Sequence, residues 1–159
     1  AWDAGYGPPA PLMSWHDIHA LRHDGMSFGA HGATHRPLTG LTTPDLLWEG
    51  NRSRAVLERE FGQPVTSMAY PYGAHDEAVR RAMIDCGFDM AFTTETGLAG
   101  PSHRALSLPR LDIRGTDTLS TFAATLGIGA AAAVAASTVS PVKPTCACGW
   151  TSMAAAVVG

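Results

Sequence analysis

Two histidines, His31 and His35, lie four residues apart in a short segment that follows a predicted buried strand. Residues with this spacing share one side of a helical turn, so both imidazoles can point the same way. Neutral imidazole nitrogens are good ligands for zinc and similar divalent cations. In α/β folds, ligands also gather at the carboxyl ends of strands. The pair therefore predicts a divalent-metal site.

The spacing alone leaves a second interpretation open. The two residues can equally be surface histidines that open a loop, with Arg36-Pro37 ending any helical turn. The zinc-protease helix signature H-E-x-x-H is not met, because Gly32 stands where that signature needs its general base. A zinc peptidase of that class is therefore not expected.

Composition limits the classes of function that remain. The chain has 159 residues, of which 45% are hydrophobic, and this is enough to build one hydrophobic core. A net charge of −3 and eleven scattered basic residues argue against a nucleic-acid partner. No stretch reaches the roughly 18 apolar residues of a membrane span, and no signal peptide is recognisable. The three cysteines do not predict a disulfide framework, and Cys86 is expected to be buried on a helix.

Helical and strand-like segments alternate along the chain. Ser14 and Thr43 are predicted N-caps, and Gly25 and Gly62 are predicted helix stops. Asp45 and Glu49 lie near the positive end of the second helix. The predicted helices cover residues 14–25, 43–62, 76–86 and 117–126, and the predicted strands cover residues 26–30, 65–70, 88–94 and 111–113.

This alternation predicts an α/β fold with parallel strand pairing. Four predicted strands are too few for an ordinary closed barrel. Residues 1–13 are predicted to be an irregular lead-in, 14–126 the folded domain, and 127–159 an Ala-rich, poorly ordered tail.

Several short segments resemble landmarks of the polysaccharide deacetylases, which are also called carbohydrate esterase family four or the nodulation-protein deacetylase homology domain. They occur in the family's order between Leu12 and Leu126 and correspond to the later part of its domain. The segments are Met13-Ser14-Trp15-His16-Asp17, Phe28 to Leu38, Ala69-Tyr70-Pro71-Tyr72-Gly73, Gly87-Phe88, Ala91-Phe92-Thr93-Thr94 and Leu108-Pro109-Arg110.

The resemblance implies an irregular (β/α) barrel whose enzymes hydrolyse N-acetyl groups of amino sugars, or O-acetyl groups of other glycans. It implies that His31 and His35 hold a divalent metal, usually zinc, which polarises the acetyl carbonyl and activates a water molecule. It also implies that the backbone N–H of Tyr72 donates to the oxyanion, a contribution typically worth about 3 kcal/mol of barrier. The implied partner is an acetylated glycan, and an extracytoplasmic or cell-envelope location is compatible with the family.

The chain departs from the family pattern at its first motif, which carries two adjacent aspartates, a general base and a third metal ligand. No adjacent Asp pair occurs here, and Trp2-Asp3-Ala4-Gly5-Tyr6 has a single carboxylate, so Asp3 is read as a loop residue. We therefore expect the chain to lack the first strand-helix-strand of the domain. Two histidines leave a catalytic zinc one protein ligand short of the usual three, and loss of a positioned base typically costs 10²–10⁴-fold in rate.

Other positions also differ from the family. Gly32 replaces the Ser or Thr that usually follows the first histidine, and Ala69 stands where many members have an arginine. No residue corresponds to the late general-acid histidine. His75 is predicted to cap a helix and His103 to lie in a solvated loop. Arg110 is left between a site-facing role and a surface salt bridge.

Three hypotheses follow from these observations. The first is a metal-dependent carbohydrate deacetylase present as an incomplete domain. The second is a catalytically inactive, glycan-binding relic of the same fold. The third is an unrelated metal-binding domain that uses His31, His35 and the pair Cys146 and Cys148.

Overall fold

A parallel sheet of three short strands organises the part of the chain that the computed structural model describes, residues 12–127. The elements in chain order are α1 (Trp15–His23), α2 (Thr43–Phe61), β1 (Ser67–Ala69), a 3₁₀ turn (Pro71–Gly73), α3 (Glu77–Asp85), β2 (Met90–Thr96), β3 (Leu108–Arg110) and α4 (Leu119–Thr125). The predicted lead-in up to residue 11, the predicted tail from residue 128, Asp3, Cys146 and Cys148 lie outside the described residues.

The strands are ordered β1-β2-β3 and both pairings are parallel. Met68 pairs with Ala91 in the first, and Phe92 pairs with Leu108 in the second. Helix α3 lies between β1 and β2 in the chain, as parallel neighbours require a crossover. On the other side of β1, Ala30 forms a single parallel bridge with Met68. The predicted α/β class with parallel pairing is confirmed.

Two strand predictions were wrong. Only Ala30 of residues 26–30 pairs with β1, in a single bridge to Met68. The preceding Gly29 lies so close to β1 that a Cβ there would be 2.8 Å from Ser67 Oγ. Residues 111–113 form no strand, and pairing occurs three residues earlier, in β3. Pro109 is accommodated there because β3 is the outermost strand of the described sheet, where a missing N–H costs no ladder hydrogen bond. Strand propensity does not reveal such pairing.

The helix ends follow the predicted capping chemistry closely. Ser14 caps α1 in a capping box with Asp17. Helix α2 is capped by Thr42 rather than Thr43, since the Thr42 hydroxyl accepts the Asp45 N–H at 3.4 Å. Two adjacent threonines offer the same cap, so the sequence alone did not separate them. Gly62 ends α2 in the left-handed conformation, with φ of 66°.

The core lies between the sheet and helices α2 and α3. Helix α2 approaches α3 at Gly50, where a Cβ would be only 2.6 Å from the sulfur of Cys86. Cys86 is buried, as predicted. Helix α1 joins the end of α2 through Trp15 and Phe61, whose ring centroids are 6.3 Å apart and edge-on. The buried apolar side chains of this core include Leu38, Leu46, Leu57, Met68, Tyr70, Val79, Met83 and Phe88.

The Tyr70 side chain ties the end of β1 to the loop that precedes β3. Its hydroxyl donates a 2.9 Å hydrogen bond to the Leu106 carbonyl. Burial raises the pKa of Tyr70 to about 12.

Within residues 12–127, no helix combines the length and apolarity that crossing a bilayer demands.

Replacing Gly50 tests the contact between α2 and α3. Gly50→Ala should lower the free energy of unfolding by about 1–3 kcal/mol, because overpacking against Cys86 outweighs the gain of about 0.5–1 kcal/mol in helix propensity. Urea unfolding measures the effect, and exposed Asn51→Ala on the same helix is the matched control, expected within about 0.5 kcal/mol. In a Cys86→Ala background the Gly50→Ala loss should shrink, and an equal loss in both backgrounds would contradict the proposed clash.

The raised pKa of Tyr70 predicts a loss of stability at high pH. The pKa of Tyr70 is about 12 in the folded protein and about 10 in the unfolded chain. The protonated side chain therefore contributes fully to the free energy of unfolding below a pH of about 10, and this contribution is lost as the pH rises toward about 12. The tyrosinate absorbance of the folded protein should show one late-titrating group. Tyr70→Phe should abolish it, whereas a late group that persists in Tyr70→Phe would assign the raised pKa to another tyrosine.

Candidate metal centre

His31 follows the bridged residue Ala30 directly, and its ring is held against the neighbouring strand. The ring Nδ1 lies 2.8 Å from the Ala69 carbonyl oxygen. A carbonyl can only accept, so Nδ1 carries the proton and Nε2 of the neutral ring keeps its lone pair. This orientation of a metal-ligating histidine by a backbone carbonyl is common in metal sites.

The imidazoles of His31 and His35 converge at their Nε2 atoms, which are 3.1 Å apart. Two nitrogen ligands on a tetrahedral zinc ion, each at about 2.0–2.1 Å, are about 3.3 Å from one another. The two rings are therefore spaced to share either one proton or one cation. Burial lowers the pKa of His31 against the opposing effect of the Ala69 hydrogen bond, and the electrostatic effects of the neighbouring His35 and Arg110 lower it further. The neutral form that a metal needs is thus favoured.

A loop, and not a helical turn, produces this convergence. Residues 31–36 contain no helix, and both Gly32 and His35 have left-handed backbones, with φ of 74° and 56°. The expectation that both rings lie on one face of a helical turn was therefore wrong. The four-residue spacing brings the rings together through a loop that turns back on itself.

Tyr72 forms the neighbouring wall of the site, in the 3₁₀ turn that follows β1. Its ring meets the His35 ring edge-on, with centroids 4.8 Å apart, and the residue is 55% exposed. Its backbone is left-handed, with φ of 57° and ψ of 10°. Among residues 12–127, no group accepts a hydrogen bond from the Tyr72 backbone N–H.

Backbone strain is concentrated at this site. His35 and Tyr72 are the non-glycine residues with positive φ in the described part of the chain. Such conformations cost roughly 1–3 kcal/mol each and persist where the surroundings fix them. The two residues with these backbone conformations are in ring contact, which marks the site independently of the spacing of the histidines.

Glu49, on α2, is a site residue that the sequence reasoning missed. It was interpreted as an acidic residue near the helix N-terminus, yet its side chain is fully buried under the histidine loop. Its carboxylate accepts hydrogen bonds from the backbone N–H groups of Ala33 and Thr34, at 2.7 and 3.0 Å. Burial alone would raise the pKa of Glu49, but the donors of the loop lower it overall. Helical periodicity could have predicted the burial of Glu49, because its position lies on the same face of α2 as the buried residues Leu46, Gly50, Ser53 and Leu57.

The remaining candidate residues have other roles. His75 does not cap α3, which is capped by Asp76. Instead its ring stacks on Tyr70 at 5.0 Å and its Nδ1 donates to the Gly73 carbonyl. His103 lies in an exposed loop, as predicted. Arg110, at the end of β3, lies over the Phe92 ring and contributes to the low pKa of His31, which favours the site-facing alternative.

The donor set fits two of the ligands of a zinc site. His31 and His35 provide neutral imidazole nitrogens at a suitable separation. Within residues 12–127, no group of three or more His, Cys, Asp or Glu side chains is placed to hold a metal ion. Water or groups outside these residues would complete the coordination.

Comparison with known proteins relates this geometry to one family. The family model for polysaccharide deacetylases matches residues 6–91, more than half of the chain. The Bacillus subtilis protein YxkH, which carries the name of a polysaccharide deacetylase, is 30% identical over 93 residues, or 58% of this chain and 33% of that protein.

Solved structures agree with this match. The Bacillus cereus polysaccharide deacetylase BC0361 is 28% identical with a TM-score of 0.63, over 72% of this chain and 36% of that one. The Streptococcus pyogenes deacetylase PplD, solved with acetate, has a TM-score of 0.69 at 22% identity, over 77% of this chain and 54% of that one. Because PplD is only 22% identical, its similarity shows the fold alone. The chain spans between a third and slightly more than half of these relatives. With its partial (β/α) fold, it belongs to the polysaccharide deacetylase family.

Proposed function

We propose that this chain is a metal-dependent hydrolase that removes acetyl groups from a polysaccharide or oligosaccharide, with N-acetyl groups of amino sugars as the preferred target. The observation that carries the proposal is the 3.1 Å approach of the His31 and His35 Nε2 atoms, beside the exposed Tyr72 turn. Family membership supports the reaction class, since the similar solved proteins are named deacetylases.

His31 and His35 would hold the divalent cation, and zinc suits two neutral imidazoles best. When bound, zinc supplies a Lewis acid for the acetyl carbonyl and lowers the pKa of a coordinated water. The Ala69 carbonyl keeps the His31 lone pair directed toward His35. Burial is the main cause of the lowered pKa of His31, and the positive charge of Arg110 lowers it further.

Tyr72 would bind the reacting acetyl group through its backbone. Its N–H has no acceptor among residues 12–127 and belongs to the turn whose ring contacts His35. A backbone N–H of this kind can donate to the oxyanion that develops on the acetyl oxygen. The exposed side of the Tyr72 turn leaves room for a glycan chain to approach.

Zinc binding should depend on the two histidines. Loss of a residue that hydrogen-bonds a metal ligand typically weakens metal affinity about 10- to 100-fold. His31→Ala should weaken zinc affinity by more than this, because it removes a proposed ligand itself. Calorimetric titration of the full chain with zinc measures this effect. His103→Ala, which removes an exposed loop histidine, is the control and should bind zinc like the parent chain.

Acetate release from acetylated chito-oligosaccharides, with zinc added, tests the reaction. Release that is lost in His31→Ala and kept in His103→Ala supports the proposal. Saturable sugar binding by the full chain without acetate release would instead favour the glycan-binding relic. Equal zinc affinity in His31→Ala and the parent chain would contradict the metal site.

Two substitutions at Tyr72 separate the role of its backbone from that of its ring. Tyr72→Gly and Tyr72→Val both remove the ring, but only glycine accepts φ of 57° without strain. Valine should push the turn out of its conformation and misplace the N–H, so the Val variant should be about 10²-fold slower than the Gly variant. Steady-state kcat for acetate release provides the comparison. Identical kcat values would assign the role of Tyr72 to its side chain.

A further inference from the structure

We propose that Glu49 is the positioning residue of the metal centre, because its carboxylate holds residues 32–36 in the conformation that brings the His31 and His35 rings together. This inference rests on the proposed function, since it concerns the same site. It adds a residue on another element, α2, to the machinery of that site.

The burial of Glu49 is the first observation. Its side chain is 0% exposed, on a helix face shared with apolar core residues. A buried carboxylate costs several kcal/mol of desolvation unless hydrogen bonds and an opposite charge compensate it. A methionine or leucine would fill the same space at no such cost. The buried carboxylate therefore depends on the contacts that it makes.

Within residues 12–127, every side-chain or backbone donor that reaches the Glu49 carboxylate comes from the histidine loop. Oε2 accepts the successive N–H groups of Ala33 and Thr34, at 2.7 and 3.0 Å. Consecutive N–H groups converging on one anionic oxygen form an anion-binding nest. Oε1 accepts the Thr34 hydroxyl and the guanidinium of Arg36, whose Nη2 is 3.2 Å away. These three donor residues flank His35 on both sides.

The loop needs such a partner because its backbone is not intrinsically favoured. His35 adopts φ of 56°, which a non-glycine residue holds only where its surroundings determine it. Glu49 fixes the two residues before His35 and the one after it. Rotation of His35 into an ordinary conformation would break these hydrogen bonds, so the carboxylate and the ring orientation depend on each other.

Gly32 shows that the loop is built closely around this carboxylate. It has φ of 74°, and a Cβ there would lie 3.3 Å from Glu49 Oε2 and 3.3 Å from Pro71 Cγ. The glycine therefore lets the loop pass between the carboxylate and the turn that carries Tyr72. The histidine loop and the Tyr72 turn, which together border the site, meet at Gly32.

Glu49→Gln tests the proposal, because it keeps the size of the side chain but loses the charge and presents an amide NH₂ to donors. We expect zinc affinity of the full chain to fall about 10- to 100-fold. The matched control is Glu58→Gln on the same helix. Glu58 accepts hydrogen bonds from Arg54 Nε at 2.8 Å and from the Val65 N–H at 3.0 Å, and in the described part of the chain it has no hydrogen bond with the histidine loop. This control should bind zinc like the parent chain even where it lowers the melting temperature.

A second variant guards against a folding defect. Thr34→Val removes the hydroxyl that donates to Oε1 and accepts from Arg36 Nε, and it leaves the core carboxylate and helix α2 intact. It should weaken zinc affinity in the same direction as Glu49→Gln, by a smaller factor. Zinc affinities of Glu49→Gln and Thr34→Val that equal that of the parent chain would overturn the proposal.

A measurement without metal separates this proposal from the proposed function. In the metal-free chain, amide hydrogen exchange at Ala33 and Thr34 should accelerate in Glu49→Gln but not in Glu58→Gln. Nuclear Overhauser contacts between the His31 and His35 rings should weaken in the same variant. If the parent chain binds no zinc, the proposed function fails while these two readouts still decide the role of Glu49. Unchanged ring contacts and unchanged exchange would reject the positioning role.

Discussion

The parallel pairing of Ala30 with Met68 is the contact on which the site depends. The Ala30 N–H donates to the Ser67 carbonyl and the Ala69 N–H donates to the Ala30 carbonyl, both at 2.9 Å. Because the two segments run in the same direction, both leave the sheet at one edge. One segment continues into the histidine loop and the other into the 3₁₀ turn. The short strand pairing thus decides which side chains can meet.

Helix α2 has two functions in this arrangement. It covers the sheet with an apolar face, and through Glu49 it carries a charge into that face to meet the loop. The cost of burying the carboxylate is offset by donors that the loop could otherwise satisfy only with water. The close approach at Gly50 sets α2 against α3, so the position of the carboxylate follows from core packing. The His31 and His35 rings are oriented by the fold and not by their own local preferences.

The helices were predictable from sequence because caps, stops and apolar period act within one or two turns. Ser14 and Gly62 end their helices where expected, and Thr42 replaces Thr43 only because adjacent threonines offer the same hydrogen bond. The strands were less predictable, since a strand exists only where a partner accepts it. Ala30 is the one paired residue of a five-residue prediction, and pairing at Pro109 depends on its place at the outermost described strand.

By itself, the sequence determined the types of chemical groups and their order: two imidazoles, then the Tyr-Pro-Tyr-Gly turn, within alternating helices and strands. Only the tertiary structure decided that a left-handed loop, and not a helical face, brings His31 and His35 together, and that Glu49 lies beneath them. The physical reason is range. The Ala69 carbonyl that orients His31 is 38 residues away, and Glu49 is 16 residues from Ala33. Local periodicity carries no information about hydrogen bonds across such distances, which form only when the sheet and α2 are packed.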